Sequence, residues 1–195
     1  MANKSLQGGV AFLLLITLSG CSTPAIEQQG WRQPLLTPQE FFDGTLCADG
    51  VVNGFSGEQL RQFNAVIEAS WSATGTGTLD EVFYFYDEPG KAPVRETRVW
   101  TLNPADDGYL ASATDVPEPT LMRYAGNTIS MGYTLRYGEP GDTIDLSMDD
   151  RMYMVAEDLV VNETTMTKFG IEVGQVLLVM RKVPDASYCQ LPAEE

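Results

Sequence analysis

A chain of 195 residues with 27 acidic and 12 basic side chains carries a formal charge of −15, which sets aside nucleic-acid partners. It contains no histidine, so the commonest general base, the commonest metal ligand and every Ser-His or Cys-His nucleophile pair are missing. No nucleophile elbow, phosphate loop or metal-binding signature replaces them, so no cofactor, resident metal or catalytic residue is expected.

Residues 1–20 read as a secretory signal. Asn3-Lys4 makes a short basic start, and Val10 to Leu18 is an apolar or small run. A finished membrane helix needs about 20 residues, so this run is too short to span. Leu18-Ser19-Gly20-Cys21 resembles the bacterial lipoprotein signal, which implies lipidation of Cys21 with acyl chains such as palmitate. The alternative is an ordinary cleaved signal with a coincidental cysteine. Ser22, in place of aspartate, resembles the signal for sorting to the outer membrane, so the expected location is its inner leaflet, facing the periplasm. Loss of Lys4 with the leader takes the formal charge from −15 to −16. Anionic lipid then repels the body, and the acyl chains must do the anchoring.

Residues 21–38 read as the lipidated cysteine and a flexible tether with Pro24, Pro34 and Pro38. Trp31 and the Leu35-Leu36 pair can touch lipid or pack on the domain, and packing is favoured. Thr37-Pro38-Gln39-Glu40 is a helix start: threonine caps, proline opens the first turn and glutamate reaches back. Phe41-Phe42 give this one short helix an apolar face, placed to cover the end of whatever follows.

From 39 to 183 the signal is nearly all strand. Thr45–Phe55 and Gln59–Ser70 flank a turn at Ser56-Gly57, and Glu88-Pro89-Gly90-Lys91 has the type II order. Ile129, Met131, Tyr133, Leu135 and Tyr137 alternate without error, and Ile144, Leu146 and Met148 alternate again. That period of two is what a strand with one buried face requires. About ten strands with almost no helix predict an all-β, antiparallel up-and-down meander, and closing it into a barrel is the simplest way to hide its edges. Residues 184–195 form a polar tail. Cys47 and Cys189 remain once Cys21 is lipidated, and an oxidising compartment favours a disulfide between them. Two separate thiols are the alternative.

Three sets of side chains are candidates for chemistry. The acidic clusters Asp80-Glu81, Asp106-Asp107, Asp142 with Asp145, and Asp149-Asp150 could do acid–base work if a pair faced a pocket, or bind calcium at one loop. Most fall at expected turns, and the favoured reading is solvated turn residues. Arg98 shares a parity with Trp100 and Leu102, so it is expected inside the barrel. There it could hold a ligand carboxylate or phosphate, or a partner carboxylate of the protein itself. Met131, Met148, Trp100 and Tyr133 belong to a soft, bulky set that suits an acyl chain and equally suits an ordinary core.

The order of residues resembles a family of uncharacterised bacterial lipoproteins known only as a domain of unknown function. The resemblance rests on Phe41-Phe42-Asp43-Gly44, Arg98-Val99-Trp100-Thr101-Leu102, Arg151-Met152-Tyr153-Met154, Asn162, Met166-Thr167-Lys168-Phe169-Gly170 and Val173-Gly174. It implies a lipocalin-like barrel in the cell envelope and no established site residues. The resulting expectation is a binding protein and not an enzyme. Its partners are a membrane, through the anchor, and a lipid or fatty-acyl ligand held by Arg98, Trp100, Met131, Tyr133 and Met148. The second reading is an interaction module with a filled barrel, docking an envelope protein.

Overall fold

The period of two is realised as ten antiparallel strands in one closed barrel, each paired with its neighbours in sequence and the first with the last. The computed structural model describes residues 25–139 and 141–192. The signal, Cys21 and the start of the tether lie outside the described residues.

The strands are β1 (Gly44–Gly54), β2 (Gln59–Trp71), β3 (Gly77–Phe85), β4 (Val94–Ala105), β5 (Gly108–Ala113), β6 (Thr120–Ala125), β7 (Thr128–Glu139), β8 (Asp142–Ala156), β9 (Leu159–Lys168) and β10 (Ile171–Val183). The turn at Glu88–Lys91 forms as its Pro-Gly order requires, with Lys91 N–H donating to the Glu88 carbonyl and Gly90 at φ 76°. β8 is one strand of 15 residues, longer than its interrupted hydrophobic pattern implies, because Asp150 sits inside it on the buried face.

One end of the barrel is shut. Helix α1 (Pro38–Phe41) lies across it; the expected Thr37 side-chain cap on the backbone does not form, because the Thr37 hydroxyl donates instead to Glu40 Oε2 at 2.6 Å. Phe41 and Phe42 meet edge to face at 5.2 Å and are almost fully buried, together with Leu36, Leu46, Ile67, Leu102, Ile129 and Val160. Trp71 Nε1 donates to the Phe42 carbonyl, tying the helix end to β2.

Part of the segment read as a tether is docked. A single 3-10 turn, Ile26–Gln29, buries Ile26 against the barrel, and Leu36 N–H donates to the Gly126 carbonyl at 2.8 Å. Gly126 has φ 57°, and a side chain there would collide with the Gln29 carbonyl. Glycine is what lets the N-terminal segment lie on the β6–β7 turn. Within this segment Leu36 packs, whereas Trp31 and Leu35 are exposed. At the other terminus Cys47 and Cys189 form a disulfide that fastens the tail to β1.

Candidate functional site

Inside the barrel lies a cavity of about 490 Å³. Small inward residues make room for it: Ala48 on β1, and Ala65 and Ala69 on β2. Gly50 adds to this, because a side chain there would strike the Phe63 ring. The wall is mostly apolar. Phe63 packs on Phe83 and Phe85 at 5.6 and 5.2 Å, and Trp100 meets Tyr133 edge to face at 5.3 Å. Met131 and Met148 line it with Met122, Met152, Met166 and Met180. The structure therefore brings Arg98, Trp100, Met131, Tyr133 and Met148 into one cavity, as their strand parities require.

A polar belt crosses this wall. Arg98 on β4 points inward, and its Nε and Nη2 both contact Asp115 Oδ2, at 2.8 and 2.7 Å. The partner carboxylate is thus the alternative that Arg98 adopts. Asp115 sits in the loop between β5 and β6. Its carbonyl accepts from Arg136 N–H at 2.8 Å, so the loop is held to β7 by its backbone and to β4 by its side chain. The other carboxylate oxygen of Asp115 is buried without a partner among the described residues.

The reading of Glu81 and Asp150 as solvated turn residues is corrected. Both lie within strands and are buried, while their sequence neighbours Asp80 and Asp149 face outward. Parity with Leu79 and Phe83, and with Met148 and Met152, is the signal that identifies them. Asp150 accepts from Asn162 Nδ2 and from Thr164 Oγ1, the latter at 2.9 Å, and burial raises its pKa despite these bonds. Glu81 stands opposite Arg98 in the β3–β4 register. Among the described residues it has no hydrogen-bond partner.

The Glu81 carboxyl is pushed up to about 7. Burial is the main cause; Arg98 pulls it back, and Asp115, Asp150 and Asp80 push it further up. The folded chain therefore keeps a proton that the unfolded chain releases near 4.5. This favours the fold at low pH, and the advantage is lost as pH rises through about 7, at a cost of about 3 kcal/mol. Glu81→Gln should abolish that loss. The variant is expected to melt higher than the parent at pH 8 and alike at pH 4. A parallel pair of pH profiles would place the titration elsewhere.

The opposite end of the barrel is the mouth. Arg61 lies over the Phe85 ring at 3.5 Å and bonds to Asp87 at 2.8 Å, Glu96 at 2.9 Å and the Tyr137 hydroxyl at 3.4 Å. It thereby links β2, β4 and β7 across the opening. Phe55, Phe169 and Ile171 stand exposed on the hairpin tips around it. Among the described residues, no group of three or more metal-ligating side chains converges.

The fold is similar to that of the S-type phycobiliprotein lyase CPES from Guillardia theta, with a TM-score of 0.57 and 11% identity over 83% of this chain and 99% of that one. This likeness corrects the expectation that the chain is not an enzyme: the same barrel serves a protein named as a lyase, so catalysis is open to this architecture. At that identity it establishes the fold alone. A comparison with curated proteins gives no match. The family model described as "Protein of unknown function (DUF3833)" matches residues 15–182, and the chain belongs to that family.

Proposed function

We propose that this protein binds a lipid-like hydrophobic ligand inside its barrel. The observation that carries the reading is the cavity itself. Its volume of about 490 Å³ falls in the range of about 300–1,000 Å³ typical of small-molecule sites. A barrel whose work is done only on its outer face has no use for such a space, and filling it with side chains would stabilise the fold. The methionine and phenylalanine lining adapts to a flexible chain, and Trp100, Met131, Tyr133 and Met148 are its contacts. The fold likeness to a lyase named for phycobiliproteins is compatible with a barrel that handles a small molecule.

The proposal extends to the setting. Lipidation at Cys21 would hold the barrel at the periplasmic face of the outer membrane, supported by Leu18-Ser19-Gly20-Cys21 and Ser22. There a carrier meets its cargo without crossing water.

Native mass spectrometry of residues 22–195, secreted to the periplasm and purified without detergent, tests the binding reading. The expected result is a reproducible added mass that organic solvent extracts. A clean unliganded mass, with no uptake from added fatty acids, fatty alcohols or phospholipids, would overturn it in favour of a docking module.

A further inference from the structure

We propose that Glu81 and Tyr133 form the receptor for the polar end of the ligand, and that this end donates a hydrogen bond: a hydroxyl or an ammonium, in preference to a carboxylate or phosphate. The inference rests on the ligand-binding reading and specifies the chemistry of its cargo.

The first ground is unmet hydrogen bonding. Glu81 is 8% exposed and lines the cavity, and among the described residues no side chain or backbone group bonds to its carboxyl. Tyr133 also lines the cavity, with its ring fixed against Trp100 and its hydroxyl without a partner among the described residues. Both groups open onto the cavity, Glu81 buried and Tyr133 half-buried, so an occupant there can bond to both, and a hydrogen bond to a charged group is worth about 1.5–3 kcal/mol. A hydroxyl does so by donating to Glu81 and accepting from Tyr133. An ammonium donates to Glu81 and gains its charge.

The second ground is the balance of charge. Three carboxylates, Glu81, Asp115 and Asp150, face the interior from β3, the β5–β6 loop and β8. One guanidinium, Arg98, faces them from β4, and Asp115 already neutralises it. Asn162 and Thr164 are spent on Asp150. Above about pH 7, where Glu81 is ionised, an anionic head placed at this depth would meet unmatched carboxylates. The other cations of the lining are Arg61, engaged by Asp87 and Glu96, and Lys168 at the mouth end of β9. An anion would therefore stop at the mouth on Lys168, whereas a donor reaches Glu81.

The test uses three probes that share one alkyl chain: decanol, decylamine and decanoate, each below its aggregation concentration. Binding is read from displacement of N-phenyl-1-naphthylamine. At pH 8, decanol and decylamine should each bind about tenfold or more tightly than decanoate, the size of one hydrogen bond to a charged group. Glu81→Gln should weaken decylamine about tenfold and remove its pH dependence around 7. Tyr133→Phe keeps the ring and should weaken decanol by several-fold. Thermal unfolding of both variants confirms that each is folded. Decanoate binding tightest, or variants that leave the order of the three probes unchanged, would overturn the inference while the ligand-binding reading stands. No response to any of the three would sink both.

Discussion

Replacing Cys47 and Cys189 with serine should lower the unfolding free energy by about 5 kcal/mol, a fall in Tm of roughly 10–20 °C for a chain of this size. The two cysteines are 142 residues apart, so the bond closes a loop containing the whole meander. In the unfolded chain that closure removes a large share of the available conformations. In the folded chain it joins β1 to the segment just beyond β10, the two strands whose pairing shuts the barrel. Urea unfolding of the parent and the double variant, both under oxidising conditions, provides the measurement. A loss below about 1 kcal/mol would mean that the unfolded state is already held compact without the bond. Reduction of the parent by dithiothreitol should reproduce the variant.

Arg98→Met should cost about 3 kcal/mol, because it strands the Asp115 carboxylate in a partly buried site already short of donors. Adding Asp115→Asn should recover most of that loss. The recovery separates an uncompensated charge from lost packing, since methionine keeps the aliphatic volume of the arginine stem. A double variant no more stable than Arg98→Met would show that the guanidinium acts on groups other than Asp115, Glu81 being the nearest in register. Stability by chemical denaturation is the direct readout. Ligand retention by native mass spectrometry on the same variants then shows whether the pair also shapes the cavity.

Much of the barrel was legible because alternation is a local signal. Ile129 to Tyr137 alternate cleanly, and all five apolar positions face inward on β7. The helix at Pro38 was legible from its threonine, proline and glutamate, and its plugging role from Phe41-Phe42. The buried carboxylates were harder. Glu81 and Asp150 each sit in an acidic pair that mimics a solvated turn, and only parity with Leu79 and Met148 separates the inward member from the outward one. Asp115 has no such signal. It follows the end of β5, and it enters the site only because its loop folds back between β4 and β7. Whether the interior is hollow was also beyond alternation, since methionine serves a packed core and a pocket equally well. The better clue was the run of small inward residues, Ala48, Gly50, Ala65 and Ala69, which leaves space that the larger side chains do not reclaim.

The hydrogen-bonded wall is not uniform around its circumference. β1 and β10 pair along their whole length, from Thr45–Val183 to Gly54–Gly174. β5 and β6 share only Tyr109–Met122, Leu110–Leu121 and Ala111–Thr120, and β6 meets β7 only from Arg123–Ser130 to Ala125–Thr128. Toward the mouth, Val94 to Val99 of β4 pair with β3 alone. Local opening has its lowest free energy where the fewest ladder bonds break, so thermal breathing concentrates in the β5–β6 hairpin while the remainder stays intact. The barrel behaves as a purse with one soft seam, and Asp115 is its clasp. Amide exchange at Leu110 and Leu121, expected to be faster than at Leu177 and Leu178 in the fully paired wall, would report how often this seam opens.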